Sequence, residues 1–73
     1  MTQPEMVRQY IEDFGSITPK EAFVDLGVYR LSACIFNLRK SGIPISTEME
    51  ESTNRYGKTS RYARYKFAEG VNG

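Results

Sequence analysis

Met6, Val7, Tyr10, Ile11 and Phe14 recur at spacings of three and four, which is one apolar stripe of a helix. The stripe predicts a helix over residues 4–14. Thr2 or Gln3 precedes a proline suited to the first turn, and Gly15 stops the run. Thr18-Pro19-Lys20-Glu21 is a second start signal, with a capping threonine, a proline and a reciprocal glutamate. It predicts a short helix over 18–26, with Ile17 packing back near Ala22 and with Ala22, Phe23 and Leu26 turned inward, broken at Gly27. A third helix over 29–41 carries Leu31, Ile35 and Leu38 on one face and Cys34 at its margin. Gly42 and Pro44 prevent its continuation.

From Ile45 the period changes to two. Ile45, Thr47 and Met49 alternate with Ser46, Glu48 and Glu50, and Ala63, Tyr65 and Phe67 alternate with Tyr62, Arg64 and Lys66. These runs predict strands over 45–51 and 60–67. The polar stretch between them reads as a loop of about eight residues, the common hairpin connections being shorter. Residues 68–73 are expected to fray. The expected fold class is therefore α+β, with three helices followed by a two-stranded antiparallel hairpin, in one domain covering residues 1–73.

Composition narrows the chemistry. With 40% hydrophobic and 26% charged residues, the 73-residue chain has the balance of a globular domain. One cysteine forbids an internal disulfide, and the lack of histidine argues against a zinc site and an imidazole base. No paired carboxylates, phosphate-cradling loop or nucleophile–base pair stands out, so neither catalysis nor a cofactor is expected. No apolar run approaches a membrane span, and the first residues do not resemble a signal peptide, so a reduced cytoplasm is the expected location.

Net charge is only +1, but its distribution is uneven. Residues 1–28 sum to −3 and residues 29–73 to +4, and from Arg55 to Lys66 there are five cations and no acid. One pole is thus suited to face an anion. The unit from Thr18 to Ser41 has the spacing of a helix-turn-helix, whose second helix enters a DNA major groove while the first supports it. At about 100° per residue, Tyr29, Ala33, Phe36 and Lys40 lie opposite the buried side of the third helix, flanked by Arg30, Ser32 and Asn37. Ala33 allows close approach, Arg30 suits guanine and Asn37 suits adenine. Arg39 and Lys40 suit phosphate. Phe36 is open to three readings: core closure, a thymine methyl, or a protein interface. The hairpin forms a wing whose loop, 52–61, brings Arg55, Lys58 and Arg61 to the backbone or minor groove. Arg64 and Lys66 are read as partners of Glu48 or Glu50 across the hairpin.

The runs Gly15-Ser16-Ile17-Thr18-Pro19-Lys20-Glu21-Ala22 and Asp25-Leu26-Gly27-Val28-Tyr29-Arg30-Leu31-Ser32-Ala33, then residues 35–45, resemble the small winged helix-turn-helix proteins of tailed bacteriophages and prophages. So do the wing segments Asn54-Arg55-Tyr56-Gly57 and Arg61-Tyr62-Ala63-Arg64-Tyr65. The resemblance implies binding of double-stranded DNA, with a role in transcription regulation or as a recombination accessory in a bacterial host cell. Cys34 departs from it, standing where such proteins often carry an arginine that would reach phosphate. A lone module has a small footprint on DNA, which points to a homodimer or a cooperative assembly. Met1, Met6, Phe36 and Val71 are the apolar candidates for such contacts. The alternative is a protein-interaction module that binds and inhibits a host protein. Its discriminating feature is whether the acids Glu48, Glu50 and Glu51 lie beside the recognition helix.

Overall fold

The computed structural model describes residues 1–68. Three helical segments are followed by a hairpin: α1 (Gln3–Phe14), α2 (Pro19–Glu21), which widens into a π-helical turn (Ala22–Leu26), α3 (Leu31–Lys40), β1 (Ile45–Thr53) and β2 (Thr59–Phe67). This is the arrangement that the periodicity predicts, with several boundaries moved.

Both early helices start on reciprocal caps. The Thr2 hydroxyl accepts from the Glu5 N–H at 3.3 Å, and the Glu5 carboxylate accepts from the Thr2 N–H at 2.8 Å. Thr18 and Glu21 repeat the exchange at 3.2 and 3.0 Å. Two N–H groups that have no partner inside a helix are satisfied at each end this way. Ile17, just before the cap, and Ala22 are both fully buried in the common core.

Phe23 is a correction to the predicted inward face: it is 53% exposed, while Ala22 is buried and Leu26 half-buried. The cause is local. Gly27 takes a left-handed φ of +69°, and the Val28 N–H reaches back to the Ala22 carbonyl at 3.0 Å. Closing the turn on Val28 puts that side chain in the core in place of Phe23. The same turn delays α3. The predicted helix over 29–41 begins at Leu31 instead, because Arg30 holds a non-helical φ of −120° and ψ of 68° while its carbonyl accepts from the Ala33 N–H. Tyr29 and Arg30 therefore precede the helix.

The strands are longer than predicted and the loop is shorter. β1 pairs with β2 from Ile45↔Phe67 to Thr53↔Thr59, so Ser52, Thr59, Ser60 and Arg61 belong to strands. Asn54 closes the turn. Its N–H donates to the Lys58 carbonyl, its carbonyl accepts from Gly57 N–H, and its side-chain oxygen accepts from the N–H groups of Tyr56 and Lys58. Gly57, at φ +83°, supplies the left-handed residue that follows such a turn.

Val7, Ile11, Ile17, Ala22, Val28, Leu31, Cys34, Ile35, Leu38 and Ile45 form the core, with Tyr10, Leu26, Ile43, Tyr65 and Phe67 against it. Phe14, at the end of the predicted stripe, is exposed. The hairpin is joined to the helices by a one-residue bridge, in which Ile17 and Tyr65 exchange two backbone hydrogen bonds of 2.9 Å. Fraying from Ala68 is corrected at its first residue, since the Ala68 N–H donates to the Pro44 carbonyl at 3.0 Å. The rest of that expectation, and the role considered for Val71, lie outside the described residues.

Candidate nucleic-acid interface

Burial of Leu31, Cys34, Ile35 and Leu38 leaves Ser32, Ala33, Phe36, Asn37 and Lys40 exposed along one face of α3. Phe36 is 66% exposed, which removes core closure from its three readings. Cys34 is buried, and burial pushes its thiol above the ordinary range. Position 34 therefore faces the core, and its departure from arginine removes no outward-pointing cation. Tyr29 and Arg30 sit just ahead of this face. The exposed Tyr29 ring lies 5.1 Å from that of Phe23, which braces the turn between the two helices.

Arg39 departs from its predicted role. Its guanidinium donates twice to the Ile45 carbonyl, at 3.1 and 2.8 Å, and once to the Thr47 hydroxyl at 2.9 Å. The register explains why that carbonyl needs a donor. The Pro44 carbonyl is taken by Ala68 and the Asn54 N–H by Lys58, so the even-numbered residues of β1 point their backbone groups at β2. Ile45, an odd one, points its carbonyl outward towards α3, where Arg39 meets it.

The wing turn carries Arg55, Tyr56 and Lys58, all exposed, and Arg61 follows on β2. Hydroxyls flank the turn on both strands, at Ser52, Thr53, Thr59 and Ser60.

Sorting the ten cations by partner divides them into two groups. Arg8 pairs with Glu12, Arg39 holds the edge of β1, and Lys66 pairs with Glu48 at 2.8 Å. Arg64 meets Glu50 at 2.9 Å, the Ser16 hydroxyl at 2.9 Å and Glu21 at 3.9 Å. Lys20, Arg30, Lys40, Arg55, Lys58 and Arg61 make no ion pair or side-chain hydrogen bond among the described residues. Apart from Arg39, the unpaired cations thus include every cationic residue that the sequence singles out for the interface, and add Lys20 beside the α2 cap. Lys20 was missed because an exposed lysine near a helix start carries no distinguishing pattern.

The acids are arranged differently. Glu48 and Glu50 lie on the strand face opposite Thr47, the residue that Arg39 reaches, and each is paired as the sequence predicts. The Tyr62 hydroxyl and the Arg64 guanidinium hold the Glu50 carboxyl below its ordinary range, and Glu50 holds Arg64 above its own. Glu51 shares the Thr47 face and stands opposite Arg61 in the register. Away from this region, the Tyr10 hydroxyl donates to Asp25 at 2.6 Å, and that bond with partial burial pushes the phenol up to about 12. Among the described residues, no cluster of His, Cys, Asp or Glu is suited to hold a metal ion, and no helix is long and apolar enough to cross a membrane.

Comparison with known proteins agrees with this architecture. No curated protein and no solved structure matches the chain. A family model described as a winged helix-turn-helix domain matches residues 2–70. With three helical segments, a turn-linked α3 and a hairpin wing, the chain belongs to this winged helix-turn-helix family.

Proposed function

We propose that this protein is a non-enzymatic regulator that binds double-stranded DNA, with α3 in the major groove and the wing turn on the backbone or minor groove. The observation that carries the reading is the division of the cations. Those that stabilise the fold are held by carboxylates, hydroxyls or a carbonyl. The six without a partner among the described residues lie at the start of α2, before α3, at the end of α3 and on the wing. Phosphates supply the counter-charge such a set lacks. Tyr29, Arg30, Ser32, Ala33 and Asn37 face the bases in this reading, and Lys20, Lys40, Arg55, Lys58 and Arg61 face the backbone. Resemblance to phage and prophage proteins supports a role in transcription regulation or recombination within a bacterial cytoplasm. The small size of one module supports action as a homodimer or cooperative array.

The host-protein reading draws support from the near-neutral net charge, but less from the acids, two of which are neutralised by neighbouring cations. Fluorescence anisotropy on random-sequence duplex DNA across a salt series separates the two. If the five cations that face the backbone neutralise phosphates, log K falls with log salt at a slope of about −4.5, from roughly −0.9 per contact. Removing Arg55, Lys58 and Arg61 together brings the slope to about −2 on the same basis. Absence of binding at low salt, with protein near ~0.1 mM, defeats the DNA reading, since non-specific binders hold duplexes far below that concentration.

A further inference from the structure

The exposed face of α3 holds an apolar group where base edges would lie. Ser32, Ala33, Phe36 and Asn37 occupy its first two turns, with no cation among them. Arg39 is committed to the Ile45 carbonyl, Lys40 sits on the last residue of the helix, and Arg30 precedes it. Guanine is read chiefly by arginine or lysine at O6 and N7, so the middle of this helix lacks a guanine reader. It does hold a large ring, Phe36, on the side away from the core, next in sequence to Asn37 and one helical turn after the small Ala33. The Asn37 side-chain amide makes no hydrogen bond among the described residues and retains both its donor and its acceptor.

We infer that α3 selects A·T base pairs, Phe36 and Ala33 packing on the 5-methyl group of thymine and Asn37 pairing with adenine. Thymine is the base that offers an apolar group in the major groove, and adenine is the one whose N6 and N7 match a carboxamide. The inference rests on the DNA-binding reading and adds the identity of the bases.

Removing only the methyl tests it. Anisotropy competition with the whole chain compares three short duplexes: alternating dA·dT, the same duplex with deoxyuridine for every thymidine, and alternating dG·dC. Losing one packed methyl corresponds to about fourfold in affinity, the equivalent of ~0.8 kcal/mol per buried carbon. The expected result is dA·dT bound at least about fourfold more tightly than its deoxyuridine counterpart, with dG·dC weaker than dA·dT. Phe36→Ala should bring the first ratio close to one while leaving the salt slope unchanged, because no charge is lost. Phe36→Leu, which keeps an apolar contact, should retain most of the ratio. Phe36 is exposed, so neither variant removes core packing. Any change in duplex shape caused by deoxyuridine would persist in Phe36→Ala, which separates it from methyl contact. Equal binding of the dA·dT and deoxyuridine duplexes with a steep salt slope overturns this inference and leaves DNA binding intact. No binding to any of the three overturns both.

Discussion

Replacing Arg39 by alanine removes three hydrogen bonds at once, two to the Ile45 carbonyl and one to the Thr47 hydroxyl. Ile45 is buried, so its outward carbonyl has limited access to water once the guanidinium is gone. Arg39 as a whole is exposed and its bonds to that carbonyl only partly buried, which places the interaction well below that of a buried ion. A typical intramolecular hydrogen bond contributes about 0.5–1.5 kcal/mol net, and the two bonds to one carbonyl share a single acceptor, so the loss should total about 1–2 kcal/mol. For a domain of this size that corresponds to a fall of roughly 4–8 °C in Tm per kcal/mol. Lys40→Ala is the internal control: it is the next residue, exposed and without a partner among the described residues, and should stay within about 0.5 kcal/mol of the parent. Urea denaturation followed by far-UV circular dichroism measures both. Thr47→Val isolates the third bond and should be non-additive with Arg39→Ala. If Arg39→Ala is as stable as Lys40→Ala and instead lowers the salt slope on DNA by about one, Arg39 is a phosphate contact and the edge-holding argument fails.

Two further perturbations follow from particular bonds. Tyr10 is pushed up to about 12 from an ordinary 10, so its hydrogen bond to Asp25 contributes fully below pH ~10 and is lost as the pH rises through 12. Tyr10→Phe should cost about 1 kcal/mol near neutral pH and abolish that part of the alkaline loss, read from urea midpoints on both sides of pH 10. If parent and variant lose stability in parallel above pH 10, the bond to Asp25 does not set the titration. Gly57→Ala should destabilise the hairpin by about 1–2 kcal/mol, because an alanine resists the left-handed conformation, although its methyl would meet open space. Melting temperatures decide the point, and an unchanged or raised value would show that the turn relaxes to another form.

Sequence periodicity served best where the cause of structure is local. The Thr18–Glu21 capping box follows from residue identity within four positions, and both strands follow from the period-two alternation, although Thr47 and Met49 are exposed on the face that begins with the buried Ile45. The exposed face of α3 could be counted from Leu31, Ile35 and Leu38 alone. The misplaced start of α3 has a longer-range cause, since the closure of Val28 onto Ala22 displaces Phe23 and holds Arg30 outside the helix. The wing turn was legible in part. Asn54 three residues before Gly57 is a turn signal, but the hydroxyl residues around it read as loop because serine is a weak strand former. Arg39 and Lys40 are indistinguishable in sequence, and only the register of β1 says which of them meets a carbonyl. The bond from Tyr10 to Asp25 and the bridge from Ile17 to Tyr65 join residues whose proximity no local pattern encodes.

The root of the hairpin is fastened on both edges, by Arg39 on β1 and by Ile17 on β2, and Arg64 adds a third attachment at Ser16. Every residue from 51 to 61 is exposed. At ~3.3 Å per residue, that exposed end alone is roughly 10–15 Å long. Amide hydrogen exchange should therefore divide within single strands. The backbone near Ile45 and Tyr65 opens only with the core, while the amides around Ser52 and Ser60 open in a low-energy local event. An extended arm that unzips from its tip without disturbing its base can adjust to grooves of different width. The entropy it surrenders on binding is then confined to a handful of residues, and the helical body has nothing to rearrange.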